Sequence, residues 1–367
     1  MPWQQDSTIP PMKLTLHENS VFAILLRQPW WVSVLVALAF DFVNGFHDAA
    51  NSVATIVSTR VLRPFAAVFW AAWWNFVAAW FFGVHVANTV AKWVDKIYVT
   101  PEVILAGLLG AICWDLITWK FSLPTSSSHA LLGGFGGAAL AFAGKWHGVL
   151  KEDKVWQTVQ FIVIAPCIGV VLGLVFVVAV MWICRGFTAS KVDRYFRVIQ
   201  LGSAAAYSLG HGTNDAQKTM GIIAALLYTS IWKSQQTAFQ SGHVTFPFWI
   251  VLICHLAIGL GTMAGGWRIV KTMGMKVTML RPYSGACAES AAAVSLFTSA
   301  NLGIPVSTTH TIMGAIVGVG SVRRLSAVRW GLAGQVVWAW ILTIPMSAMI
   351  AAGLFYVIQS LHPSVML

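Results

Sequence analysis

Pro124-Thr125-Ser126-Ser127-Ser128-His129 and Pro305-Val306-Ser307-Thr308-Thr309-His310 are two copies of one pattern, and each runs on into glycines four apart: Gly133 and Gly137, then Gly314 and Gly318. Proline lacks the N–H that a helix start would leave unpaired, and Ser or Thr can cap the donors that remain. Each copy therefore predicts a helix whose N-terminus is lined with hydroxyls. Such a terminus is a site for an anion. The glycines predict a face on which another helix approaches closely.

A second pattern is also written twice. Asn44-Gly45-Phe46-His47-Asp48-Ala49-Ala50-Asn51 is echoed by His211-Gly212-Thr213-Asn214-Asp215-Ala216-Gln217-Lys218, which places Asp48 on Asp215, His47 on Asn214 and Asn51 on Lys218. Three apart, Asp48 and Asn51 share a helix face, as do Asp215 and Lys218. Gly, Asn, Asp and His in the middle of an apolar span predict a broken helix lining a cavity, where freed carbonyls and carboxylates hold a cation. The charges link the two motifs. Two helix N-termini offer roughly half a positive charge each, against about −1.5 to −2 on a phosphate-like dianion. With Asp48 and Asp215 ionised, cations must travel with the anion or sit there permanently. Lys218 supplies one, and protons or sodium ions the rest.

Composition says what holds these motifs. With 57% hydrophobic and 10% charged residues the chain is no soluble domain, since such domains carry roughly a quarter charged residues. It reads as a polytopic membrane protein, and its 19 tryptophans fit aromatic belts at the bilayer surfaces. The net charge of +11 is scattered through short loops, which fits positive-inside topology better than nucleic-acid binding. Five cysteines stand singly in or beside apolar runs, so neither a disulfide framework nor a zinc site is indicated. The first twenty positions are polar and carry Pro10 and Pro11; no cleavable signal is expected there, and the first span serves as insertion signal.

Stretches of about twenty apolar residues place spans near 32–57, 65–90, 102–119, 123–143, 158–184, 197–229, 247–267, 284–300, 304–320 and 330–357. The expected fold is all-α and polytopic, with about 10 to 12 transmembrane segments in two inverted-topology repeats containing broken or re-entrant helices. With the N-terminus outside, Arg60, Arg63, Lys120, Arg185, Lys191, Arg194, Arg197, Arg268 and Lys271 fall inside, and Asp95, Glu102, Glu152 and Asp153 fall outside, in line with the positive-inside rule. The expected division is an extracytoplasmic tail at 1–31, a first repeat at 32–184, a cytoplasmic linker at 185–196, a second repeat at 197–357 and a tail at 358–367.

Together GFHDAAN, GTNDAQK, PTSSSH and PVSTTH resemble the signatures of the inorganic phosphate transporter (PiT) family, over about residues 32–357. The resemblance implies an integral, multi-pass protein of the bacterial cytoplasmic membrane, of the low-affinity type, that carries orthophosphate with sodium ions or protons and is not an enzyme. It implies phosphate contacts at Ser126, Ser127, Ser128, Ser307, Thr308 and Thr309. It implies coupling-ion residues at Asp48, Asn51, Asn214 and Asp215, where sodium would sit. Two positions depart from the family pattern: His47 stands where Asn is common, and Lys218 where Asn often ends the second motif. Both exchange a neutral sodium ligand for a basic or titratable group, so His47 and Lys218 join the coupling set and proton coupling is favoured over sodium. No cofactor or nucleic acid is expected; phosphate and membrane lipid are the partners, with a homodimer left open.

Other intramembrane groups have a role by default. Glu289 is read as a proton carrier or a hydrogen-bond partner of a neighbouring helix, Asp115 as a structural partner of Lys120 or of a facing helix, and Asp41 as a support for the broken segment. His129 and His310 are read as orienters, and His255 as a core residue. Rival functions are a channel or carrier for divalent metal cations, a symporter of a metal–phosphate complex, or a carrier of another tetrahedral oxyanion. A serine hydrolase built on Ser128 and His129 is excluded, because neighbours on a helix project about 100° apart and cannot share the nucleophile-to-base bond.

Overall fold

The computed structural model describes residues 30–81, 83–230, 246–322 and 325–361. Most of the expected tails, 1–29 and 362–367, lies outside the described residues. Every named element is helical. The first half runs α1 (Trp30–Ser58), α2 (Pro64–Val77), which tightens into a 3-10 turn at Ala78–Trp80, α3 (His85–Ala91), α4 (Pro101–Lys120), α5 (Ser127–Ala143) and α6 (Glu152–Ile183). The second half runs α7 (Ala189–Ser230), α8 (Phe248–Ala264), α9 (Trp267–Lys271), which loosens into a π turn at Thr272–Lys276, α10 (Pro282–Asn301), α11 (Thr308–Ser321) and α12 (Trp330–Leu361).

The two halves match member for member. α2–α3 and α8–α9 are pairs bent by 85° and 62°, the second at Gly265, whose φ of +69° suits glycine. α4 and α10 are both 20 residues long and open on a proline, while α6 and α12 are both 32 residues with a proline inside. α1 and α7 run antiparallel: Asp41 of α1 meets Thr219 of α7, and Thr59 at the other end of α1 meets Gln200. Antiparallel first helices are what inversion of one half against the other requires.

One sequence expectation changes. α1 and α7 pass unbroken through both polar motifs, because neighbouring helices satisfy their polar side chains and the backbone has no need to unwind. Gly45 and Gly212 serve close packing instead: a Cβ at Gly212 would lie 2.6 Å from the Asn75 carbonyl oxygen, and one at Gly45 would press on the Ile258 backbone. Breaks occur in α2–α3 and α8–α9. Among the described residues, α1, α4, α6 and α12 are by length and composition long and apolar enough to cross a bilayer alone, and the two bent pairs bring such spans to as many as 6. α5 and α11, with 17 and 14 residues, reach only about 25 and 21 Å against the roughly 30 Å of a hydrocarbon core. They return from α4 and α10 as helical hairpins whose tips reach the polar middle of the molecule. Within the stretch 185–196, read as a linker, the chain is helical from Ala189 onward.

Each hairpin helix packs on the last helix of the opposite half, α5 on α12 and α11 on α6. The spaced glycines make this contact. A Cβ at Gly133 would stand 2.6 Å from the Ile344 carbonyl oxygen and one at Gly318 would stand 2.9 Å from Val170 Cα. The outer faces of α6 and α12 expose Val163, Val171, Val175, Trp338, Ile341 and Met349, as lipid-facing helices do. Away from these spans, Asp95 and Lys151 pair beside an antiparallel Val94–Leu150 bridge. The Lys151 ammonium holds the Asp95 carboxyl below its ordinary range.

Candidate functional site

Both hairpin helices start as the capping rule requires. Ser126 Oγ accepts from the His129 N–H at 3.3 Å and Ser307 Oγ accepts from the His310 N–H at 3.2 Å, so these two serines are the N-caps of α5 and α11. The next hydroxyls converge from both halves on one carboxylate. Thr308 Oγ1 donates to Asp215 Oδ2 at 3.1 Å and Ser128 Oγ to Asp215 Oδ1 at 3.4 Å. All of these residues are buried.

The inverted symmetry is visible in the polar contacts themselves. Asn51 of the first half reaches across to the second hairpin, donating to Thr309 Oγ1 at 2.9 Å and to Thr308 Oγ1 at 3.4 Å. Lys218, its counterpart, reaches across to the first hairpin and donates to Ser128 Oγ. Its ammonium also pairs with Asp215 Oδ1 at 2.6 Å and donates to the Val306 carbonyl at 2.8 Å. One cation thus ties both hairpin tips to α7. In this position a fully desolvated ammonium has three acceptors, which is what burial of such a charge demands.

His47 bridges Asp48 and the first hairpin. Its Nδ1 lies 2.7 Å from Asp48 Oδ1, and its Nε2 lies 3.1 Å from Thr118 Oγ1 and 3.4 Å from Thr125 Oγ1. Asn214, its counterpart, turns away: its amide donates to the carbonyls of Gly210 and Leu296. That leaves Asn214 facing α10 rather than the carboxylates, and its Oδ1 has no hydrogen-bond partner.

Several groups in the cluster were not assigned to it from sequence. His211 Nε2 lies 3.1 Å from Asp215 Oδ2, one turn earlier on α7, while its Nδ1 contacts Asn75 Oδ1 at 3.2 Å. Donor atoms of Asp48, His211 and Asp215 lie within 4.8 Å of one another, a set that can hold a cation. The i,i+4 spacing of His211 and Asp215 was the available signal. Thr118, Thr125 and Asn75 carried none, being single polar residues in apolar stretches.

Asp115 does not pair with Lys120, which is exposed at the end of α4; the aspartate is fully buried and neither of its carboxyl oxygens has a hydrogen-bond partner. It faces the interior, and Lys120 points the other way. Asp41 accepts from Thr219 Oγ1 at 2.9 Å. Glu289 joins three helices, accepting from Thr55 of α1 at 2.6 Å and from Gln200 and Ser203 of α7 at 3.0 and 2.5 Å. The rings of His129 and His310 meet edge to face at 4.8 Å, and His310 stacks on Trp340. His255 Nδ1 contacts the Val251 carbonyl within its own helix.

The model of the Phosphate transporter family matches residues 44–351. A probable low-affinity inorganic phosphate transporter of Rhizobium meliloti (strain 1021) is 56% identical over 324 residues, 87% of this chain and 93% of that protein. One of the same description from Bacillus subtilis (strain 168) is 40% identical over 329 residues, 89% of this chain and 96% of that protein. Among solved structures, one described as the sodium-dependent phosphate transporter superposes with a TM-score of 0.76 at 24% identity, over 92% of this chain and 99% of its own. That last likeness concerns the fold.

Proposed function

The chain belongs to the phosphate transporter family, and from that premise we propose that it is a secondary active symporter that carries inorganic phosphate across the membrane with protons rather than sodium ions. The observation that carries this reading is Lys218, whose ammonium sits between Asp215, Ser128 and the Val306 carbonyl. A fixed positive charge there takes the place that a bound sodium ion would otherwise fill, and it repels a second cation. His47 between Asp48 and two threonines supplies a group able to take up and release a proton.

In this reading Ser127, Ser128, Thr308 and Thr309 bind the anion together with the N-termini of α5 and α11. Ser128 and Thr308 exchange the carboxylate of Asp215 for phosphate oxygens, so phosphate entry releases Asp215 to bind a coupling ion with Asp48. Phosphate brings negative charge and the freed carboxylates bring more, so the anion and its protons stabilise each other. An N-terminus outside, a lipid-embedded fold and a homodimer belong to the same proposal.

Uptake of radiolabelled phosphate into proteoliposomes under imposed proton or sodium gradients tests it. Uptake driven by the proton gradient without sodium is expected, with loss in Asp48→Asn and a shift toward sodium dependence in Lys218→Asn. Strict sodium dependence of the unmodified protein at fixed pH would overturn it. A second reading, symport of a divalent metal–phosphate complex, is favoured by the convergence of Asp48, His211 and Asp215. It predicts uptake that needs magnesium or manganese and co-transport of the labelled metal.

A further inference from the structure

Ser127 Oγ and both carboxyl oxygens of Asp115 are buried polar atoms without a hydrogen-bond partner, and they belong to the same corner of the site. Asp115 lies on α4 one turn before Thr118, which holds His47, and its carboxyl is near enough to Ser127 for the two to interact, though outside hydrogen-bonding geometry. Every other hydroxyl on the two helix starts has a partner: Ser126 and Ser307 cap, while Ser128, Thr308 and Thr309 bind Asp215, Lys218 or Asn51. Buried polar atoms in native proteins are nearly always paired, and an ionised carboxylate without donors is especially costly. A ligand that satisfies both residues must offer an acceptor to the serine and share a proton with the carboxyl.

We propose that Asp115 is a specificity residue of the phosphate site, sharing one proton with the bound anion so that the site selects oxyanions carrying an O–H. The inference rests on the phosphate-transport reading above. In the complex, one O–H···O bond joins the carboxyl to a ligand oxygen. The proton resides on hydrogen phosphate while Asp115 is ionised, or on Asp115 while the phosphate accepts; no bond to phosphorus forms or breaks. Phosphate, whose second ionisation falls near neutral pH, brings that proton itself. Sulfate has none at neutral pH, so it binds only when Asp115 has first taken a proton from solvent. A site built to hydrogen-bond a ligand O–H rejects an analogue lacking it, because a buried polar group is left unpaired.

The groups around Asp115 bear on this proton. α1 brings His47 and Asp48, α7 brings Asp215, and α5 brings the hydroxyl of Ser127. α9 places Arg268 on the Lys120 carbonyl at the hairpin tip, and α12 brings no acid or base to the contact, its Tyr356 being exposed.

The experiment is equilibrium binding of radiolabelled phosphate to the purified full-length protein, without gradients, in competition with sulfate or arsenate at pH 6 and pH 8. Arsenate, which carries its own proton, should compete at both pH values. Sulfate should compete at least about tenfold more weakly at pH 8 than at pH 6. Asp115→Asn, whose amide donates at any pH and whose carbonyl accepts from hydrogen phosphate, should still bind phosphate with a raised Kd and make sulfate competition independent of pH. Sulfate competing equally at the two pH values in the unmodified protein overturns the proposal, whether or not the variant folds. If phosphate itself does not bind, the transport reading fails instead.

Discussion

Ser126 and Ser127 are neighbours with different tasks, and the difference can be measured. The Ser126 hydroxyl is spent on the His129 N–H, whereas Ser127 has no partner in the folded chain. Ser126→Ala should therefore destabilise the start of α5 by about 1 kcal/mol and lower the melting temperature in detergent, with Ser126→Asn restoring it. Ser127→Ala should leave melting within about 0.5 kcal/mol of the unmodified protein yet weaken phosphate binding. Melting and binding measured on the same preparations separate the two; equal melting losses would show that Ser127 is also a structural cap. Lys218 is the other residue with a sharp expectation. Removing it leaves Asp215 buried without its cation, which costs about 3–5 kcal/mol, so Lys218→Ala and Lys218→Asn should both melt below the unmodified protein, with Ala the lower because it has no amide to donate to the carboxylate.

At the scale of elements, the hairpin helices depend on glycine. Gly137 lies against Ala348 of α12 and Gly318 against Val170 of α6, with no room for a side chain, whereas Gly334 and Gly353 face open space. Gly137→Leu and Gly318→Leu should each cost about 1–3 kcal/mol or more through overpacking, seen as loss of monodisperse protein after detergent extraction. Gly334→Ala and Gly353→Ala should be tolerated. Glu289 marks a second element-level junction, since it binds α1 and α7 through Thr55, Gln200 and Ser203. Thr55→Ala and Ser203→Ala should be non-additive in melting, because both act on one carboxylate. The Asp95–Lys151 pair is a weaker tie. Its Asp95 carboxyl is held below the ordinary 3.8, so its contribution is present above that pH and is lost as pH falls below it. Being half-exposed on the lysine side, the pair contributes no more than about 1 kcal/mol, and Asp95→Asn should shift melting slightly at pH 7 and progressively less as pH falls below the ordinary carboxylate value.

For the whole molecule, inversion has a consequence that labelling can read. Arg197 near the start of α7 donates to the Arg60 carbonyl just beyond α1, while Ala225 and Thr229 near the other end of α7 line a cleft with Lys92 and Lys151. From 197 to 225 the helix climbs about 42 Å, more than a hydrocarbon core of about 30 Å. In a cysteine-free background, Arg60→Cys and Arg197→Cys should react with an impermeant thiol reagent from one face of the membrane, and Lys92→Cys and Lys151→Cys from the other. Reaction of all four from one face would contradict the antiparallel arrangement of α1 and α7.

Sequence alone determined the duplication, the bilayer as solvent and the paired hydroxyl caps, because capping chemistry, apolar runs and small-residue spacing are written over a few adjacent positions. It misjudged α1 and α7 as broken, since the strain expected from polar residues mid-span is relieved by helices remote in the chain. Packing alone decided that Lys218 grips the opposite hairpin, that Asn214 turns away, and that His211, Thr118 and Asp115 stand at the centre. Most of those contacts join residues on different helices, and their energy depends on how the described helices fill one volume, which no local pattern encodes.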